Sequence, residues 1–188
     1  MTLETVKSAS SNRFLSAGRM ATGIVAFLLF LIALGVHAAA AAGIDIETDW
    51  PNVWLLHYGI FPIFLIAMLF ATGLGGLRRR KFLEIVYHMP VYARLLAGAA
   101  LVYALANFVL IVPSTGYGNA VVKDGQYSFV NHGVVRVVTK DQFHAMRALQ
   151  IRGFSGHWWF LYFVSALYLL TGHGKPEGQR SGEPERST

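Results

Sequence analysis

Four stretches of this chain, residues 20–42, 53–74, 91–113 and 154–172, are each long enough to cross a bilayer and contain Arg94 as their only Asp, Glu, Lys or Arg. Lipid offers no water to an exposed peptide group, so a spanning segment of this length must close its hydrogen bonds internally, as a helix. With 54 % hydrophobic and 14 % charged residues among 188, the chain has more apolar surface than a soluble domain can bury. Cysteine is absent, which excludes disulfides, thiolate metal sites and a cysteine nucleophile. The formal charge of +6 gathers at the termini and in Arg78-Arg79-Arg80-Lys81. Such clusters set topology and meet anionic headgroups, so a membrane surface is the expected partner and nucleic acid is not.

Residues 1–19 form a polar tail carrying Lys7, Arg13 and Arg19 against Glu4. Residues 20–42 exceed the core of a signal peptide, although Ala38 to Ala42 offer the small residues a peptidase accepts; they read as the first span. Loop 43–52 holds Asp45, Glu47 and Asp49 and no cation, and Trp50, Pro51 and Trp54 mark the return to the membrane. Pro62 predicts a kink within the second span. The four contiguous cations after it stay inside by the positive-inside rule, which places both termini in the cytoplasm and residues 43–52 and 114–153 outside. Lys123, Arg136, Lys140, Arg147 and Arg152 oppose that orientation, but they are dispersed where the Arg78 cluster is contiguous and abuts a span.

Residues 82–90 alternate apolar residues with Glu84 and His88, a pattern for a short interfacial helix. In the third span Ala93, Ala97, Ala100, Ala104 and Asn107 recur at steps of three and four, a face suited to close helix packing. Beyond Pro113, Lys123-Asp124-Gly125 and Asn131-His132-Gly133 divide short apolar runs into a three-stranded antiparallel meander, too small to hold a core alone. Thr139 with Gln142 three residues later is a capping box, and it predicts a helix from Lys140 with Lys140, His144 and Arg147 on one polar stripe. No proline lies between Thr139 and Thr171, so this amphipathic arm and the fourth span can form one rod, with Gly153 and Gly156 as its weak points. Residues 173–188 have the composition of a disordered cytoplasmic tail. The predicted fold class is an all-α membrane protein: four transmembrane helices with a small extracytoplasmic β-meander and amphipathic helix between the third and fourth. A multi-pass place in a bacterial inner membrane follows.

The polar residues within the spans enter at one level. Counted at about 1.5 Å per residue, His37, His57, Asn107 and His157 all fall within roughly 10 Å of the outer face. Intramembrane ionisable groups are costly, so these four are the candidate cofactor-binding residues, for haem, a metal or a quinone headgroup. The competing reading is of interfacial histidines that hydrogen-bond a neighbouring helix. The four spans and the Gly156-His157-Trp158 entrance resemble the di-haem membrane cytochromes b; the resemblance ends there, because the inner halves of the spans lack histidine pairs for a second haem. His132 and His144 read as solvated, and the four tryptophans as an aromatic belt. No phosphate loop, paired intramembrane carboxylates or nucleophile elbow is present. The sequence therefore favours a non-enzymatic interaction or accessory subunit, working with another membrane protein or as a homo-oligomer. A redox protein binding haem or metal through His37, His57 and His157 is the alternative.

Overall fold

The computed structural model describes residues 3–72, 90–114 and 118–171. The expected interfacial helix, the Arg78 cluster and the C-terminal tail lie outside the described residues. Helix α1 (Leu3–Ala41) starts well before the first apolar run. A one-turn helix, α2 (Ile46–Asp49), follows, and a 3-10 turn (Pro51–Trp54) leads into α3 (Leu55–Thr72), which continues through Pro62. Helix α4 (Val91–Ser114) precedes strands β1 (Asn119–Lys123), β2 (Gln126–Asn131) and β3 (Val134–Val137), and α5 (Lys140–Thr171) completes the described chain. Three helical segments, Phe14–Ala41, Pro51–Ala71 and Val91–Ile111, are long and apolar enough to cross a membrane.

Helix α5 is the centre. Among the described residues it packs against α1, α3 and α4, each more extensively than they pack on one another. Its buried residues Ala148, Ile151, Ser155, Trp158, Tyr162, Ser165 and Leu169 advance by alternating steps of three and four, which keeps one seam facing a neighbour. Helix α1 answers with Gly23, Ala26, Ala33, His37 and Ala40 buried at the same spacing. The two run antiparallel: Gly23 lies against Leu169 and Leu170, Phe30 against Trp159 and Phe163, and His37 against Ser155. A Cβ on Gly23 would come within 2.7 Å of Leu170, so the lower end of the seam is set by the absence of a side chain. The alanine face of α4 is its buried face, with Ala93, Ala100, Ala104 and Asn107 covered, as its spacing predicts.

The sheet has the order β1-β2-β3, both pairs antiparallel, with Val122 opposite Tyr127 and Phe129 opposite Arg136. Both hairpins turn through two residues of positive φ: Asp124 at 52° with Gly125 at 76°, and His132 at 46° with Gly133 at 83°. These are the dihedral signs of a type I′ turn, whose twist matches that of the strands it joins. The sheet rests on the first turns of α5. Tyr127 stacks 4.9 Å from the Phe143 ring, and Gln150 Nε2 donates to the Gly118 carbonyl at 2.6 Å. Strand β3 keeps Val134, Val135 and Val137 exposed.

The capping box forms as its sequence requires: the Gln142 amide donates to Thr139 Oγ1 at 3.2 Å, and the Thr139 amide to Gln142 Oε1 at 3.0 Å. From there α5 runs unbroken through Gly153 and Gly156. Those glycines are also contact points. Asn107 Nδ2 donates to the Arg152 carbonyl at 2.9 Å and to the Gly153 carbonyl at 3.3 Å, and a Cβ on Gly156 would sit 2.6 Å from that nitrogen.

Candidate functional site

The four polar residues expected at one level divide into two groups on different sides of α5. On the α1 and α4 side, His37 is buried and uses both ring nitrogens: Nδ1 pairs with Ser155 Oγ at 2.8 Å and Nε2 with the Tyr103 hydroxyl at 2.6 Å. A serine bonded to an imidazole has the outline of a nucleophile and its base. Ser155 is 0 % exposed, however, so no substrate can reach it. With both nitrogens occupied, His37 has no free lone pair for a metal. This group, with Asn107 of α4 bonded to the Arg152 and Gly153 carbonyls of α5, fastens three helices together.

On the other side, His57 from α3 and His157 from α5 stand edge to face with centroids 5.5 Å apart. Rings enclose them: Trp54 lies 6.4 Å from His57, Phe154 6.3 Å from His57 and 6.1 Å from His157, and Phe108 of α4 6.2 Å from His157. His57 Nδ1 is buried without a hydrogen-bond partner among the described residues, and so is the indole nitrogen of the fully buried Trp158 next to it. His37, His57 and His157 thus do not converge, and among the described residues no three His, Asp or Glu side chains are grouped to hold a metal.

A polar cluster lies beyond the histidine level, where the 43–52 loop meets the arm of α5. Asp45 caps α2 by accepting from the Thr48 amide at 3.3 Å and the Thr48 hydroxyl at 2.7 Å. The same carboxylate meets His144 Nδ1 at 2.6 Å and Arg147 Nε at 3.5 Å, and Arg147 reaches Glu47 with a nitrogen–oxygen distance of 3.0 Å. His144 is therefore not the solvated surface residue its sequence position implies. Burial works against the charge of Asp45, but hydrogen bonds from His144 and Thr48 and the nearby Arg147 outweigh it, holding the carboxyl below its usual range. We call this group the latch.

Against known family models, curated proteins and solved structures, the chain has no match. Its function rests on its own geometry.

Two signals in the sequence pointed to the latch. Asp45 and Thr48 have the spacing of a helix N-cap, and His144 and Arg147 lie one turn apart on the arm opposite an acidic loop without cations. The partners of His37 carried none, because serine and tyrosine in an apolar helix are ordinary residues until the neighbouring helix is in place.

Proposed function

We propose that this chain is a four-pass membrane protein that serves as a non-enzymatic accessory subunit, offering its outer cap to another membrane protein in a fixed pose. The observation that carries this reading is the double attachment of the cap. Helix α5 is continuous from the cap into the bundle, and Asp45 and Glu47 tie the arm of that helix to the α1–α3 connection through His144 and Arg147. A cap held at two points meets a partner without first losing conformational entropy, which favours recognition. The exposed strand β3, unpaired on its outer edge among the described residues, is the element a partner strand can extend.

Helix direction supports the fourth pass. Helix α1 runs opposite to α5, while Trp54 against Phe154 and the Tyr162 hydroxyl donating to the Leu56 carbonyl set α3 parallel to α5, as in a chain that crosses four times. In α5 the serines, His157, Trp158 and Trp159 make it less apolar than the other three helices. Its central position answers for that, since protein rather than lipid covers those residues. Both termini then lie on the cytoplasmic side of a bacterial inner membrane.

The test is a photo-crosslinking residue at Val135, introduced into the full chain in its native membrane. A discrete protein adduct that disappears when Asp45→Asn loosens the latch is the expected result. Adducts to lipid alone, or adducts insensitive to Asp45, would overturn the accessory-subunit reading.

A further inference from the structure

We propose that Arg152, at the outer end of the membrane part of α5, binds the phosphodiester of a phospholipid through the terminal nitrogens of its guanidinium. The inference rests on the reading that α5 lies in the bilayer, which sets the depth of this cation. With the fourth span beginning at residue 154, Arg152 stands two residues, or about 3 Å, outside the hydrocarbon, in a headgroup layer about 5–7 Å thick. Helical side chains lean towards the N-terminus of their helix, so the guanidinium is carried further out, to the level of the phosphates.

The protein leaves this charge unneutralised. Arg152 Nε is buried with no hydrogen-bond partner, and no carboxylate among the described residues pairs with the guanidinium. Arg147, five residues earlier on the same helix, provides the contrast, because Asp45 and Glu47 both reach it. A covered guanidinium nitrogen cannot be hydrated, so the cation has lost part of its water and gained no anion. Arginine does not deprotonate to relieve this.

The cation is also firmly rooted. The Arg152 carbonyl accepts from Asn107 Nδ2 at 2.9 Å and from Ser155 Oγ at 3.4 Å, which holds this turn of α5 against α4. Its charge is close enough to act on His37 of α1, which sets it on the α1 and α4 side of α5 rather than among the latch residues. Unlike Ser155, Arg152 is only partly buried, so with Nε covered the terminal nitrogens are what a ligand meets. A guanidinium fork matches two oxygens of one phosphate, and in the headgroup layer that group is supplied by phospholipid.

The experiment places the full chain in nanodiscs of equal parts phosphatidylglycerol and a phosphate-free galactosyl diacylglycerol, releases it, and identifies the retained lipid by native mass spectrometry. One phosphatidylglycerol retained in preference to the galactolipid is the expected result. Retention should fall about tenfold or more in Arg152→Gln, as loss of a charge-assisted pair implies, and fall less in Arg152→Lys, which keeps the charge without the fork. Lys140→Gln removes an exposed cation of the cap and should change nothing. Circular dichroism of each variant verifies the helices. Equal retention of the two lipids, equal retention in the unmodified chain and Arg152→Gln, or equal losses in Arg152→Gln and Lys140→Gln would overturn the proposal. Inorganic phosphate that displaces phosphatidylglycerol from the unmodified chain, and binds it in detergent but not Arg152→Gln, would assign the site to a soluble anion and overturn it too. Reporter fusions on either side of α5 decide its membrane placement separately, so a negative result in a correctly threaded chain falls on Arg152 alone.

Discussion

Asp45 accepts from Thr48, His144 and Arg147 at once, so one carboxylate joins a helix cap to a contact ninety-nine residues away along the chain. Replacing it with asparagine keeps the size and removes the charge, and is expected to cost about 1–2 kcal/mol of local stability, because hydrogen bonds to charged groups are worth more than neutral ones. Faster amide exchange in α2 and in residues 140–147, with unchanged exchange in α1, is the measurement that checks it. The pH dependence has a definite sign. A carboxyl whose folded pKa lies below its ordinary value of 3.8 gives stability that is complete above that value and is lost as pH falls through the lower folded one. Acid should therefore open the latch from about pH 4 downward, and Asp45→Asn should abolish that acid sensitivity. A second residue-scale expectation concerns Gly156, where a new Cβ would meet Asn107 Nδ2. Gly156→Ala should destabilise by about 1–3 kcal/mol, and adding Asn107→Ala should return part of the loss, a non-additivity that thermal unfolding of the four proteins would reveal. Residue by residue, the sequence disclosed a common level along α5 but not direction. His37, His57, Asn107 and His157 were legible as one level from their distance to the span ends, whereas their division between two sides of α5 depends on how each helix is rotated against its neighbours. Periodicity within one helix does not contain that rotation.

Among the elements, α5 was the most legible, because its start has a chemical signature and its interior lacks a breaker. The capping box joins Thr139 and Gln142 reciprocally, and Thr139→Ala should cost about 1 kcal/mol, seen as fraying of the first turn alone. Gly153→Pro should cost about 3 kcal/mol or more and separate the arm from the rest of α5, so that the two halves exchange independently. The hairpins were legible for the same kind of reason, since Asp124-Gly125 and His132-Gly133 supply the positive φ their turns need. The alanine face of α4 announced its own packing. Less legible was the matching seam of α1: Gly23, Ala26 and Ala33 lie in a run apolar on every side, where lipid-facing and protein-facing residues look alike. Helix α2 was hidden in a loop too short to show a period, although Asp45 caps it.

At the scale of the molecule, the fold is a hub. One helix of mixed polarity lies among three apolar ones and extends past them as the arm that carries the sheet. At about 1.5 Å per residue its 32 residues reach about 48 Å, against a hydrocarbon core of about 30 Å. The surplus is what can hold a cap clear of the lipid. Four passes with both termini inside predict that reporter fusions after Lys81 and after Gly133 signal opposite sides, and that neutralising Arg78 to Lys81 disturbs the orientation. Everything proposed for the cap requires the arm to be ordered in the free protein. Hydrogen exchange across residues 140–153 in the unmodified chain, reconstituted in a bilayer, tests that most directly: slow exchange from the second turn of α5 onward, continuous with the amides beyond Gly153, is expected, and rapid exchange throughout the segment would contradict it.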